Sequence, residues 1–305
     1  MKRVVINGPT GAIGIALINQ CIKQNIEVLA LCRRGSKRIS KIPVSDLVKI
    51  AECSLDELNE YASEIKYDVF YHFAWEGTFG DSRNDMFLQN LNIKYTLDAV
   101  DLAKRLGCST FIGAGSQAEY GRVEGKLSAD TPVFPENGYG IAKLCAGQMS
   151  RVMCGKLGIK HIWVRILSVY GPNDGEHTLV MSTIRKLMKG EVPKFTKGEQ
   201  IWDFLYSGDA AEALLLMAEK GTHGKLYSLG SGVGKPLCEF INVIRDTINP
   251  SASVAFGAIP YSENQVMYLV ADIDELKKDT GFTPKTEFSA GIRQIVDSLR
   301  SESVK

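Results

Sequence analysis

The sequence lacks the features that mark a membrane protein or a metalloprotein. None of its apolar runs approaches the ~20 residues that a membrane-spanning helix needs. Its four histidines lie far apart, its seven cysteines form no Cys-x-x-C pair, and no cluster of histidine and cysteine suggests a ligand set. We therefore expect no metal site and no membrane partner.

An excess of charge of one sign is also missing. Lysine and arginine number 36 against 35 for aspartate and glutamate, and this formal net charge of +1 gives no electrostatic attraction to nucleic acid. Residues 1–3 lead directly into an apolar strand rather than a secretory segment, and the odd cysteine count is typical of reduced core thiols. These features favour a cytoplasmic globular protein, and 305 residues with 45% hydrophobic content suffice for roughly two domains.

A glycine-rich turn is the first positive feature. Residues 8–14 read Gly-Pro-Thr-Gly-Ala-Ile-Gly and lie between the apolar runs 4–6 and 15–18, a pattern typical of a strand, a tight turn and a helix. Glycine permits close approach, and the free amides of a helix N-terminus suit a pyrophosphate. The first glycine gap is one residue longer than in the usual dinucleotide fingerprint, so this turn alone does not name a cofactor, and a turn without a ligand is the alternative.

Tyr139 and Lys143 form the second feature. Their spacing puts a phenol and an ammonium on one face of a helix. A phenol titrates near pH ~10 unless a nearby positive charge stabilises its phenolate, so this pair predicts a proton donor or acceptor. A lone pair of this kind is more often a solvated helix surface, and only its combination with the glycine turn favours a catalytic role.

Apolar strand and helix patterns alternate along the first half of the chain. Strands are predicted at 4–6, 28–32, 47–50, 69–73, 110–114 and 162–166, and helices at 13–24, 55–64, 86–106 and 139–157. This alternation predicts an α/β fold with a doubly wound parallel sheet, the Rossmann fold, and ligands at the carboxyl ends of its strands. The pattern loosens after residue 170, where glycine and proline become frequent, and there we expect a second, smaller C-terminal α/β domain.

Together these segments resemble the extended short-chain dehydrogenase/reductase family, which holds nucleotide-sugar epimerases, dehydratases and ketoreductases. The resemblance spans almost the whole chain and is carried, besides the two features above, by His-Phe-Ala at 72–74, Asn92, Gly-Ser-Gln-Ala-Glu-Tyr-Gly at 115–121, Arg165, Ser-Val-Tyr-Gly-Pro at 168–172, Trp-Asp-Phe-Leu-Tyr at 202–206, Gly-Asp-Ala-Ala at 208–211 and Tyr-Ser-Leu-Gly-Ser-Gly at 227–232. It implies a dinucleotide-binding domain of residues 1–170 and 201–232, and a substrate-binding domain of residues 171–200 and 233–305.

The resemblance also implies the site. Ser116, Tyr139 and Lys143 are the expected catalytic residues: Tyr139 protonates the oxygen that gains charge during hydride transfer, Ser116 steadies it, and Lys143 binds the cofactor ribose and lowers the pKa of the tyrosine. The expected cofactor-binding residues are Gly8, Thr10, Gly11, Ile13, Gly14, Arg33, Arg34, Glu52, Phe73, Ala74, Asn92, Tyr139 and Lys143, and the expected substrate-binding residues are Trp75, Ser116, Ser168 and Trp202.

The cofactor choice rests on the turn after the second strand. An Asp or Glu there would accept both ribose hydroxyls of NAD, but residues 32–38 read Cys-Arg-Arg-Gly-Ser-Lys-Arg. Guanidinium groups suit a 2′-phosphate, so Arg33 and Arg34 favour NADP(H). The alternative is that only one arginine reaches the ligand, which leaves NAD(H) possible. Glu52 resembles the acid that addresses the adenine amino group in relatives.

The reaction type is narrowed by the loop at residues 116–118. Family dehydratases carry Thr-Asp-Glu there, whereas this chain has Ser-Gln-Ala and so lacks the acid pair that removes water. Two reactions stay open, a reductase that exchanges NADP(H) with solution and a 4-epimerase that retains NAD. The basic turn favours the reductase. A non-catalytic dinucleotide-binding module is less favoured, because Ser116, Tyr139 and Lys143 are all present.

The substrate side departs from the family pattern. Trp202 stands where many members have an arginine that contacts the substrate pyrophosphate, and we consider Arg185, Lys186, Lys194 and Lys197 as substitutes. The Trp-Asp-Phe segment and the 115–121 loop resemble reductases of nucleotide-linked 4-keto-6-deoxyhexoses, which is the expected substrate class. By resemblance we also expect a homodimer formed through the helix before residue 106 and the catalytic helix.

Overall fold

The computed structural model describes residues 1–302 as a parallel sheet flanked by helices, with a smaller C-terminal lobe. The strands are β1 (Arg3–Asn7), β2 (Glu27–Cys32), β3 (Val48–Glu52), β4 (Val69–His72), β5 (Thr110–Ser116), β6 (Lys160–Ile166), β7 (Ser168–Tyr170), β8 (Ile201–Trp202), β9 (Phe204–Tyr206), β10 (Leu226–Leu229), β11 (Lys235–Pro236) and β12 (Tyr268–Leu269). The helices are α1 (Ala12–Lys23), α2 (Met86–Arg105), α3 (Gly138–Leu157), α4 (Leu179–Met188), α5 (Ser207–Lys220), α6 (Leu237–Ile248), α7 (Asp274–Thr280) and α8 (Phe288–Glu302).

Seven strands pair in the order β10-β6-β5-β4-β1-β2-β3, and every pair is parallel. The chain winds one way from β1 to β3 and the other way from β4 onward, so the strand order reverses beside β1. In doubly wound sheets a ligand crevice opens at this point, outside the carboxyl ends of the strands. The predicted fold class is therefore confirmed.

Two apolar cores cover the faces of this sheet. One packs α1 and α5 against residues such as Val4, Ile6 and Val164, and the other packs α2 and α3 against residues such as Val5 and Phe111. The alternating side chains of each strand thus divide between two helical layers, as period-two burial requires. The predicted strands and most of the predicted helices lie within two residues of the observed ones.

The helix predicted at residues 55–64 is wrong. The segment forms one 3-10 turn, Leu55–Glu57, and then runs irregularly. The guanidinium of Arg105, at the end of α2, donates to the backbone carbonyls of Leu58 (2.7 Å) and Tyr61. A long-range partner therefore takes the carbonyls that a helix would use internally, and tertiary contacts outweigh local propensity.

The C-terminal lobe packs α4, α6 and α8 around its own apolar core, which includes Met181, Ile244 and Ile292. Short strands β11, β8 and β12 form a small sheet, and β7 pairs with β9. The strand β8 thus pairs within the lobe, while α5 and β10 that follow it pack on the main sheet. The domain boundaries given by the resemblance stay a prediction.

Asp203, in the Trp-Asp-Phe segment, connects the 202–204 segment to the 231–232 turn and to Ala271. Its fully buried carboxylate accepts hydrogen bonds from the backbone amides of Ser231 (2.7 Å), Gly232 (2.9 Å) and Ala271 (3.1 Å). A buried carboxylate needs such donors because it is costly to desolvate. This residue therefore has a structural role.

Within residues 1–302, no helix combines the length and the apolar character that crossing a bilayer requires. In the same residues, no group of three or more His, Cys, Asp or Glu side chains could hold a metal ion. The seven cysteines are all free thiols.

Packing between α3 and β6 gives a stability prediction. A Cβ on Gly147 would lie 2.6 Å from the ring of Trp163, whose indole nitrogen is held by Glu119, so Gly147→Ala should lower the free energy of unfolding by roughly 1–3 kcal/mol through overpacking. Gly155→Ala on the same helix meets nothing within 4 Å and should be neutral or stabilising, by up to ~1 kcal/mol. Urea denaturation measures both, and equal effects of the two variants would contradict the prediction.

Candidate functional site

An open cavity of about 180 Å³ lies at the carboxyl ends of β1, β2 and β4, where the strand order reverses. We call it the dinucleotide groove; it is bordered by Asn7, Gly8, Pro9, Thr10, Leu31, Cys32, Arg33, Ser36, Arg38, Cys53, Ser54, Leu55, Ala74, Trp75 and Glu76. The helix α1 begins beside it with Gly11 as its N-cap, and no side chain caps the first turn. The first amides of α1 therefore stay available to an anion.

The glycines of the 8–14 turn serve two different purposes. A Cβ on Gly8 would lie 2.6 Å from the Ala74 amide nitrogen, and one on Gly14 would lie 2.6 Å from the Gly8 carbonyl oxygen, so both are required by packing. Gly11 has only the Gly8 carbonyl near it, at 4.0 Å. A side chain there would fill open space above the turn, which is the space a dinucleotide pyrophosphate needs. The residues present therefore fit such a cofactor.

Only some of the basic side chains in the turn after β2 border the dinucleotide groove. Arg33, Ser36 and Arg38 border it, and Arg38 also donates to the Asn173 carbonyl oxygen at 2.8 Å. Arg34 does not border it, because its guanidinium pairs with Glu57 at 2.8 Å.

Several of the expected cofactor residues shape the groove without bordering it. Asn92 accepts from the Glu76 amide and donates to the Glu76 carbonyl, each at 2.9 Å, and so fixes the loop after β4. The Phe73 amide donates to the Asn7 carbonyl at 2.8 Å. The Glu52 carboxylate accepts from the Gly35 amide at 3.4 Å and thereby braces the basic turn. Gly11, Ile13 and Gly14 form the start of α1 and its cap, as expected from the sequence.

Ser116, Tyr139 and Lys143 meet where β5 ends and α3 begins. The hydroxyl of Ser116 lies near that of Tyr139 and lowers the pKa of the phenol, and both residues are 9% exposed. The helix α3 starts close to the end of β5, since a Cβ on Gly140 would lie 2.3 Å from the Ala118 carbonyl oxygen. The structure thus brings together the three residues that the resemblance named as catalytic, and their roles stay a prediction.

We call the place where Ser116, Tyr139 and Lys143 meet the catalytic corner. A buried carboxylate, that of Glu119, hydrogen-bonds the residues around it. Glu119, fully buried, accepts from the Ser116 amide (2.8 Å), from the Trp163 indole nitrogen (3.0 Å) and from Arg165 Nε (2.7 Å). The Ser116 hydroxyl also accepts from the Ala118 amide at 3.2 Å, which closes a capping box around the 117–119 turn. The backbone of Ser116 is therefore fixed by the 117–119 turn and, through Glu119, by β6.

Lys143 is buried without a carboxylate in contact among the described residues. Its Nζ donates to the Ala114 carbonyl oxygen at 2.6 Å and lies 3.8 Å from the centroid of the Trp75 ring. Burial lowers the pKa of Lys143 to about 7, against the opposing charge of Glu119. An ammonium over an indole face is stabilised by the ring quadrupole.

Trp75, which we expected to contact substrate, borders the dinucleotide groove. It packs edge-on against Tyr139, with ring centroids 6.0 Å apart, and its indole nitrogen donates to Gln89 at 2.9 Å. This residue therefore connects the groove to the catalytic corner.

Arg83 is the residue that sequence reasoning missed. Its guanidinium carbon lies 4.4 Å from the centroid of the Tyr139 ring, whereas Lys143 Nζ lies 5.9 Å from it. Burial raises the pKa of Tyr139, while the nearby Ser116 hydroxyl and the charge of Arg83 oppose that rise. The loop that carries Arg83 has no periodic pattern or motif, so no sequence signal pointed to it.

A second and larger cavity, of about 540 Å³, lies between the main sheet and the C-terminal lobe. We call it the lobe cavity; its residues include Leu167, Ser168, Tyr170, Asp174, Thr178, Lys194, Phe195, Thr196, Gln200, Trp202, Phe204, Ile259 and Gln265. The Trp202 indole donates to the Ser168 hydroxyl at 2.7 Å, so two expected substrate residues form one pair in its wall. Leu167 in its wall directly follows Ile166, the register partner of Ser116 on β6.

Lys143→Met should stabilise the fold most at low pH. The folded pKa of about 7 lies below the ~10.4 of an exposed lysine, so below pH 7 the folded protein bears the full cost of a buried ammonium. Between pH 7 and about 10 the folded state sheds this proton first, and the advantage of methionine should shrink by up to ~1.4 kcal/mol per pH unit. Urea denaturation at pH 6 and pH 9 measures it, with exposed Lys156→Met on the same helix as control; a pH-independent difference would contradict it.

The chain is similar to known proteins in both sequence and fold. The model of the NAD dependent epimerase/dehydratase family matches residues 4–230. CDP-abequose synthase of Salmonella typhimurium is 27% identical, over 97% of this chain and 98% of that protein, and dTDP-4-dehydro-6-deoxyglucose reductase of Escherichia coli is 25% identical over 97% of each. Among solved structures, UDP-N-acetylglucosamine 4-epimerase from Methanobrevibacter ruminantium superposes with a TM-score of 0.89 at 21% identity, covering 99% of both chains.

The family resemblance drawn from the sequence is thereby confirmed. Because the family model covers most of the chain and the relatives align along nearly all of it, this protein belongs to the NAD-dependent epimerase/dehydratase family and is an enzyme.

Proposed function

We propose that the protein is an NADP(H)-dependent reductase that acts on the keto group of a nucleotide-linked 4-keto-6-deoxyhexose. The observation that carries this proposal is the buried corner formed by Ser116, Tyr139 and Lys143, next to a turn that lacks the acid pair of dehydratases. The name of the Escherichia coli relative states the same substrate class and reaction, and that of the Salmonella relative names a nucleotide-linked sugar.

The chain's own residues would move the proton. A bound dihydronicotinamide supplies the hydride to the carbonyl carbon. Tyr139 gives its hydroxyl proton to the carbonyl oxygen as negative charge develops there, and Ser116 donates a second hydrogen bond to that oxygen. Lys143 places positive charge beside this corner, and the low exposure of all three residues excludes bulk water, which strengthens each of these interactions.

The preference for NADP(H) rests on Arg33 and Arg38. Both border the dinucleotide groove together with Ser36, so two guanidinium groups and a hydroxyl are available to a 2′-phosphate. Arg34 is engaged by Glu57 and is not part of this proposal. NAD(H) would use the same groove without the phosphate contacts.

The lobe cavity would hold the nucleotide part of the substrate. Of the four cations considered as substitutes for the family arginine, Lys194 borders this cavity, and it has no ion-pair partner in the described part of the chain. Arg185 instead pairs with Glu176 at 3.1 Å. We therefore assign the substrate diphosphate to Lys194, with Trp202 as a neutral wall.

We further propose that two copies of the chain associate through α2 and α3. These helices pack on each other, and their outer faces expose large apolar side chains: Phe87 is 87% exposed, and Leu91, Ile141, Met149 and Val152 are 43–52% exposed. Burying such a row in a four-helix contact would remove it from water.

When a keto-sugar nucleotide and NADPH are added to the enzyme, one NADPH should be consumed for each product formed, because the hydride that a reductase transfers stays on the product. Tyr139→Phe should abolish this turnover while leaving NADPH binding nearly intact, since only the transferable proton is lost. Absorbance of NADPH follows the reaction, and fluorescence follows binding. A 4-epimerase that retains NAD is the alternative, and product formation without consumption of free dinucleotide would favour it over the reductase.

Replacing Arg38 by Ala should raise the KM for NADPH by about tenfold to a hundredfold and leave the KM for NADH nearly unchanged, because a charge-assisted hydrogen bond to phosphate is worth about 1.5–3 kcal/mol. Arg33→Ala should act in the same direction. Arg34→Ala is the matched control and should leave the ratio of the two KM values unchanged. Loss of NADPH preference in Arg34→Ala alone would overturn the assignment.

A further inference from the structure

Two hydrogen bonds of the loop that carries Arg83 place its guanidinium next to the ring of Tyr139. Its Nη1 donates to the Thr78 carbonyl oxygen at 3.1 Å, and the side chain of its neighbour Asn84 accepts from the Gly138 amide at 3.0 Å, in the first turn of α3. The loop is therefore docked on the helix that carries Tyr139, and the guanidinium carbon comes to lie 4.4 Å from the centroid of the Tyr139 ring.

We propose that Arg83 is a positioning residue for proton transfer, whose charge over the Tyr139 ring stabilises the phenolate left when the hydroxyl proton passes to the substrate oxygen. The O–H electron pair stays on the tyrosine, and the substrate oxygen forms the new O–H bond. This inference rests on the proposed reductase function. It assigns to Arg83 the electrostatic role that sequence spacing gave to Lys143.

The groups that face Tyr139 support this division of roles. The hydroxyl of Ser116 lies near the phenol and lowers its pKa. Glu119 lies behind Ser116 with a negative charge that disfavours the phenolate, and Lys143 lies on the same helix with its ammonium directed at Ala114 and Trp75. Burial lowers the pKa of Lys143 to about 7, so near neutral pH it carries only part of a charge. An arginine guanidinium, by contrast, is a permanent charge in proteins.

Two substitutions separate charge from hydrogen bonding. Arg83→Gln keeps a donor for the Thr78 carbonyl but removes the charge, and Arg83→Lys keeps the charge. In Arg83→Gln we expect kcat to fall about tenfold near neutral pH, the effect of one pKa unit, and the alkaline limb of its pH profile to move to higher pH because the phenolate is less stable. Arg83→Lys should recover part of the rate and of the profile. Arg122→Gln, which removes an exposed arginine paired with Glu136, is the control and should match the unsubstituted enzyme.

A raised KM for the sugar nucleotide in Arg83→Gln, with kcat and the pH profile unchanged, would overturn the proposal and assign Arg83 to substrate binding. Coincident pH profiles of all variants would overturn it as well. Ligand-free protein labelled with ¹³C at tyrosine Cζ gives a readout independent of turnover, with the Tyr139 signal assigned through Tyr139→Phe. This signal should begin to titrate at higher pH in Arg83→Gln, and identical titrations would overturn the inference. Absence of turnover in the unsubstituted enzyme with any keto-sugar nucleotide would refute the proposed function instead.

Discussion

The buried carboxylate of Glu119 is the constraint on which the site depends. It is held by one backbone amide, one indole and one guanidinium, and its pairing with Arg165 is buried on both sides. A buried ion pair of this kind adds little net stability, but removing one partner leaves an uncompensated charge, at a cost of about 3–5 kcal/mol. The role of the pair is to fix the positions of three segments relative to one another: the end of β5, the middle of β6 and the 117–119 turn.

That geometry determines where proton chemistry takes place. With the Ser116 backbone fixed, the start of α3 packs so closely on the turn that Gly140 has no room for a side chain. Tyr139 must then enter the corner beside Ser116, and Lys143, one helical turn later, is carried into the interior with it. The ammonium of Lys143 is accommodated by a carbonyl oxygen and an indole face, so its charge is sensitive to pH in a way that a guanidinium's is not.

The sequence predicted the features that follow from periodicity and from paired spacing. The alternation of strands and helices predicted the parallel sheet and a groove at the carboxyl ends of its strands. The spacing of Tyr139 and Lys143 predicted that both side chains lie on one face of a helix. It failed for the helix expected over residues 55–64, because the carbonyls near Leu58 are taken by Arg105. Long-range partners also arrange the basic turn, where Arg34 pairs with Glu57 and Arg38 borders the groove. Arg83 lay outside any pattern, because only the docking of its loop on α3 brings it to Tyr139.

The lobe cavity illustrates how a neutral wall would shape recognition under the proposed function. The indole of Trp202 is already satisfied by Ser168, so this wall presents a flat apolar face rather than a cation. A cavity with Asp174 and Lys194 as its charged lining residues attracts a diphosphate only weakly through its field. Polar groups in its wall such as Gln200 and Thr178 are already paired with Thr196 and with the Gly175 carbonyl, so discrimination would come mainly from the shape of the cavity. Under the proposed function, the identity of the nucleotide is therefore decided by the shape of the lobe cavity, whereas the identity of the reaction is decided at the corner built on Glu119.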